Sequence, residues 1–282
     1  MKRHSTILVW LVMAFCAALL LVACTGEATE EPTAEPTQPV TEEPQGTEEP
    51  APTGPALQEP ISPDIVLDPA LYVDDDSLLI DGYIYEGLVN LDDSGNVVPA
   101  LAMSWVISED QLDYVFSLRP EVVFHDGAEM NADVVVANFN RWFDPEDPLH
   151  GDGIYETWET IFLGFRGECD DGSGGVCTGG ACLENCAPRS SFDGIEKVDE
   201  LTVLAHLNRI DPEFLTNLTL TQFSIASLDA LTAAGADYGT QGNAIGTGAY
   251  TITTWTSEHL ILMPNPSYWG EQPENGLEFP FQ

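Results

Sequence analysis

Cys169, Cys177, Cys182 and Cys186 crowd into one stretch, GECDDGSGGVCTGGACLENC. Two chemistries are open to such a cluster. One is a pair of disulfides, the usual use of an even set of cysteines in an exported chain. The other is a zinc site, which takes cysteine and histidine ligands at short, regular spacing. The spacing here is C-x7-C-x4-C-x3-C, with no CxxC knuckle and no histidine inside the cluster. Disulfides are therefore expected, with the connectivity left open, and no metal. DDGSGG resembles the start of a calcium loop but lacks the later ligand positions and the bidentate Glu of an EF-hand. It reads as a flexible glycine-rich loop.

Other reactive groupings are missing. No G-x-S-x-G elbow and no P-loop occurs, and His125, His150, His206 and His259 are scattered without HExxH spacing. With 47 Asp and Glu in the chain, a carboxylate pair at glycosidase separation would arise by chance and carries no weight. Gly246-Thr247-Gly248 is too short for a dinucleotide fingerprint and runs into a strand pattern. The expectation is a protein that binds rather than catalyses, with no cofactor.

The N-terminus places that binding outside the cytoplasm. Lys2 and Arg3 precede an uncharged run from Thr6 to Ala23, and the run ends in Leu21-Val22-Ala23-Cys24. This resembles a bacterial lipobox: cleavage before Cys24 would leave its thiol to carry lipid. The rival is an uncleaved N-terminal anchor. Residues 1–23 are thus expected to be a lipoprotein signal peptide and Cys24 the lipidation site. Residues 25–60 contain eight Pro, nine Glu, seven Thr and no Lys or Arg. Such a segment buries too little apolar surface to offset its ordering entropy. With Cys24 it makes a disordered, lipid-anchored acidic tether over 24–60. The net formal charge of −39 repels nucleic acid and anionic lipid. It serves solubility or a saline habitat, and would favour cationic ligands.

The elements that must position a site lie in 61–282. Apolar spacing over Ser77–Val89 predicts a helix. Leu112, Tyr114, Phe116 and Leu118 alternate with polar or smaller residues, a half-buried strand paired back to one around Trp105. Asn131 is a natural N-cap for a helix with Val135, Phe139 and Trp142 on one face. A second hairpin follows over GIEKVDELTVLAHLN, then a short helix capped by Asp211-Pro212, a short strand FSIAS, and a helix LDALTAAG with a glycine C-cap. Two more strands follow Ile245. Helices and hairpins interleave without a strict βαβ period, which points to a mixed-sheet α/β fold. Residues after Gly270 show no closing helix or strand.

Several segments resemble one family, in family order. They are LDPA at 67–70, IYEGLVNLD at 84–92, VVPALAMSWVISEDQLDYVFSLRPEVVFHDG at 97–127, NADVVVANFNR at 131–141, and IGTGAYTITTW with NPSYWG between 245 and 270. The chain resembles the extracytoplasmic solute-binding proteins of ABC importers, of the oligopeptide/dipeptide-binding type (family 5). The resemblance implies a two-lobed clamshell that closes on a short peptide and delivers it to a permease driven by ATPase subunits. Residues 61–270 would form the solute-binding lobe, with 166–190 a Cys-rich insertion. Residues 271–282 would begin a crossover to a second lobe that is missing here, and with it the carboxylate expected to receive a peptide's α-amino group.

In the family the loop after LDP touches ligand, which maps to Tyr72, Val73, Asp74 and Asp75. Aromatic residues after the NADVVVANFNR helix line the ligand, which makes His150, Tyr155 and Trp158 candidates. Each has a plain rival: Tyr155 and Trp158 as core, Asp74–Asp76 as a solvated helix N-terminus. GTGAY reads as a structural turn whose glycines permit positive φ. Other solutes (an oligosaccharide, a metal chelate, an opine) and a non-transport surface sensor or scaffold remain alternatives.

Overall fold

The computed structural model describes residues 54–71, 74–170, 175–178, 186–240 and 242–282. The signal and tether up to residue 53, Cys24, Tyr72, Val73 and Cys182 lie outside them. The chain begins with β1 (Ala56–Leu57), α1 (Asp75–Ile84), β2 (Val89–Leu91), β3 (Val97–Pro99), β4 (Ala102–Ile107) and β5 (Asp113–Leu118). Then come α2 (Ala132–Phe143), α3 (Glu156–Phe162), β6 (Glu168–Asp170), β7 (Val176–Thr178), β8 (Phe192–Asp199) and β9 (Thr202–Leu207). It closes with α4 (Phe214–Asn217), α5 (Leu228–Ala234), β10 (Tyr250–Trp255), β11 (His259–Pro264) and β12 (Leu277–Pro280).

Two four-stranded sheets carry the fold, ordered β4-β5-β9-β8 and β1-β12-β11-β10. The first is antiparallel throughout, with Phe116 opposite both Trp105 and Val203. Its strand β5 alternates as the sequence predicts: Tyr114, Phe116 and Leu118 point into the core. α2 covers that face. Asn131 caps it by accepting from the Val134 N–H, and Val135, Phe139 and Trp142 are buried. Phe162, Phe192 and Phe223 join Trp142 and Trp158 in an aromatic cluster. Each such ring contributes about 1.5–3 kcal/mol on burial. A second core joins Ile80 and Ile84 of α1 to Leu260, Leu262 and Phe279 of the other sheet. The mixed α/β class follows, since β1 pairs parallel with β12 while the remaining strands pair antiparallel.

Several expectations are corrected. Residues 277–280 do form a strand, β12, hydrogen-bonded between β1 and β11. Pro280 hides it from a sequence reading, because proline lacks the ladder donor; here Pro280 only accepts, from the Ile61 N–H. β1 lies inside the span assigned to the tether, and its register is set by Ala56 and Gln58 donating to Gly276 and Glu278. The helix expected over Ser77–Val89 stops at Ile84. The Gly248 N–H takes the Ile84 carbonyl that a further turn would need, so tertiary bonding overrides propensity. FSIAS is no strand: the backbone of Ile225 and Ser227 donates singly to Glu86 and Ile245. The short helix near Asp211 starts only at Phe214, without a side-chain cap.

Candidate functional site

Glu86 leaves the C-terminus of α1 just past its extended cap, Tyr85. Three donors converge on its carboxylate. The Tyr268 hydroxyl donates to Oε1 at 3.0 Å, while Thr247 Oγ1 and Trp269 Nε1 donate to Oε2 at 2.8 and 2.9 Å. The Arg119 guanidinium lies 3.9 Å from the centre of the Trp269 ring, a cation–π contact, and its Nε donates to the Ala100 carbonyl. Burial pushes the Glu86 carboxyl up, opposed by its three donors and the Arg119 charge. Burial and then the Glu86 charge raise the Tyr268 phenol.

Close backbone approach makes this convergence possible. A Cβ at Gly246 would sit 2.2 Å from the Ile84 carbonyl oxygen, and one at Gly248 2.5 Å from that of Tyr83. Glycine is needed here for contact and not for positive φ, since neither residue has it. That replaces positive φ with close contact as the reason for the glycines of the GTGAY turn. Asn265 Nδ2 and the His125 ring both reach the Gly248 carbonyl at 3.0 Å, tying the turn to two further segments. Beside Glu86 opens a cavity of about 320 Å³, walled by Tyr83, Tyr250 and Tyr268 with Asn90, Thr221 and Ser224. Aromatic walls with a few polar groups suit a small ligand with hydrogen-bonding ends.

A second buried polar cluster holds the LDPA loop. Arg141 of α2 makes a two-pronged ion pair with Asp68: Nη1 meets Oδ1 at 3.0 Å, and Nη2 meets Oδ2. Burial works against the Arg141 cation, and Asp68 more than offsets it. Two of the aromatic candidates meet here. His150 Nδ1 lies 2.6 Å from the Arg141 carbonyl, its ring stacks on Tyr155 at 4.3 Å, and the Tyr155 hydroxyl donates to the His150 carbonyl. Burial pushes the Tyr155 phenol up to about 12. Tyr155 is buried at 3 % exposure, so its role here is structural as well as local.

The remaining candidates separate. Trp158 is 1 % exposed within the aromatic core and donates to the Gly164 carbonyl, so it offers no face to a ligand. Asp74 caps α1, accepting from the N–H and hydroxyl of Ser77, and Asp75 is exposed in its first turn. The helix-terminus role thus holds Asp74. Tyr72 and Val73 lie outside the described residues. Cys169 and Cys186 form a disulfide and Cys177 is a free thiol; the fourth cysteine is not described. The expectation of two disulfides is therefore met for one pair, and Cys177 departs from it.

Glu86, Thr247, Tyr268 and Trp269 were not singled out as site residues. The signal was present: each is a polar or amphipathic residue inside a segment that carries the family resemblance.

Comparison with known proteins agrees with these segments. A family model described as bacterial extracellular solute-binding proteins, family 5 Middle, matches residues 96–276. A di/tripeptide-binding protein of Pseudomonas aeruginosa is 31% identical over 196 residues, 65% of this chain and 32% of its own length. Heme-binding protein A of Haemophilus influenzae is 29% identical over 197 residues, covering 65% of this chain and 31% of that protein. The solved periplasmic binding protein DppA of Helicobacter pylori, in complex with the peptide STSA, aligns with a TM-score of 0.62 at 26% identity. That match covers 80% of this chain and 42% of the solved one. The chain spans about a third of the length of the curated relatives it matches. It belongs to the bacterial extracellular solute-binding proteins of family 5.

Proposed function

We propose that the chain forms one side of the solute cleft of an ABC-importer binding protein, and that its solutes are short peptides. The observation that carries this is the tyrosine-walled cavity beside Glu86 in a chain similar to peptide-binding relatives. Tyrosine rings and a polar rim receive side chains of varied size and pair with backbone amides without demanding one sequence. Capture changes no covalent bond, so the reading needs no catalytic group. Cys24 anchors the chain to the membrane face, and a permease with its ATPase subunits receives the load.

Calorimetry tests the solute. Di- and tripeptide pools titrated into the chain should release saturable heat that Tyr268→Ala weakens at least tenfold. A haem absorbance shift with no peptide heat would overturn the peptide reading in favour of the class named by the Haemophilus relative. Anchoring has its own test: metabolic labelling with an alkyne fatty acid should be lost in Cys24→Ala.

A further inference from the structure

We propose that, once the Cys169–Cys186 bond is reduced, the sulfurs of Cys169, Cys177 and Cys186 form a site for a thiophilic d10 cation such as Zn²⁺. Cys169 and Cys177 stand directly opposite each other across the β6–β7 pair, and Cys186 reaches Cys169 from the returning chain. All three sulfurs lie within 4.8 Å of one another. Zn–S bonds of about 2.3 Å at tetrahedral angles place sulfurs roughly 3.8 Å apart, so sulfurs up to 4.8 Å apart close by about 1 Å, while the reduced Cys169–Cys186 pair opens from bonding distance to the same spacing. In a chain so rich in carboxylates, this trio is the one described group of three or more His, Cys, Asp or Glu whose ligand atoms converge. Thiolates also select zinc over the harder cations that carboxylates would take. The surroundings are acidic, with Glu168 and Asp170 flanking Cys169; Arg189 contacts Glu168 at 3.6 Å.

The chemistry balances with a thiol reductant. Two reductant thiols convert the disulfide to two cysteine thiols and are themselves joined as a disulfide. The cation then displaces the three thiol protons, and water completes its coordination. Oxidation removes two of the three ligands, so the hairpin is cross-linked or metal-loaded, never both. Loading depends on pH because the ligands must deprotonate.

The test uses the full chain, reduced or oxidised, with Zn²⁺ alone and with Co²⁺ as a spectroscopic probe. The reduced chain should bind one zinc and show a sulfur-to-cobalt charge-transfer band, and the oxidised chain should show neither. Cys177→Ser keeps the Cys169–Cys186 bond available, yet should weaken zinc binding at least tenfold. Cys182→Ser should keep the one-zinc stoichiometry. No stoichiometric zinc in the reduced chain, wild-type affinity in Cys177→Ser, or loss of binding in Cys182→Ser would each overturn the assignment.

Discussion

Asp81 sits on the buried side of α1 with no exposure, and neither carboxylate oxygen has a hydrogen-bond partner. Burial, then the charges of Asp68 and Asp74, raise its pKa well above the usual carboxylate value. The sign follows from linkage. Below the unfolded pKa, near 3.9, both states hold the proton and the group costs nothing electrostatic. Above it the unfolded chain releases the proton while the folded chain keeps it. Stability then falls by about 1.4 kcal/mol per pH unit until the folded pKa is reached. Asp81→Asn removes that slope and keeps the size and polarity of the side chain. Urea unfolding at pH 4, 5, 6 and 7 should show the variant near wild type at pH 4. It should pull ahead as pH rises, by at most about 1.4 kcal/mol per unit from this site. A gap that stays constant across these pH values would refute a buried, proton-holding Asp81.

Three further outcomes follow from the packing. Gly246→Ala forces a Cβ to 2.2 Å from the Ile84 carbonyl and should cost about 1–3 kcal/mol in denaturant unfolding; a neutral result would refute the close-approach account. Arg141→Met strands Asp68 as a buried charge and should cost about 3–5 kcal/mol, most of it recovered by adding Asp68→Leu. If the double variant is no better than the single, the penalty lies in packing. With a net formal charge of −39, the melting temperature should rise as sodium chloride goes from 10 mM to 1 M, where the screening length drops from about 30 to about 3 Å. A falling melting temperature would show that self-repulsion is not limiting.

The parts of this fold that were legible are those set by neighbours in sequence. Tyr114, Phe116 and Leu118 alternate because one face of β5 is buried, and Asn131 announces α2 because its side chain can reach the Val134 N–H. The parts that were not legible depend on partners far along the chain. α1 ends where the Gly248 N–H takes the Ile84 carbonyl, and β12 is held between β11 and the distant β1, whose side supplies the Ala56 and Gln58 N–H donors. The site is the extreme case: Glu86 meets donors 161, 182 and 183 residues away. No local period encodes such a meeting. Trp158 shows the converse: a ligand wall and the core were both open to an aromatic residue there, and burial places it in the core.

The convergence on Glu86 ties together four of the segments that carry the family resemblance. IYEGLV supplies the acceptor, GTGAY the glycines and Thr247, NPSYWG two donors, and SLRP the Arg119 that covers Trp269. Each alone is a short, unremarkable string. A half-buried carboxylate with both oxygens occupied holds all of them in one register, and leaving the buried Thr247 hydroxyl unpaired would cost about 1–3 kcal/mol. Of the tyrosines that wall the neighbouring cavity, Tyr268 is held in place by its bond to Glu86.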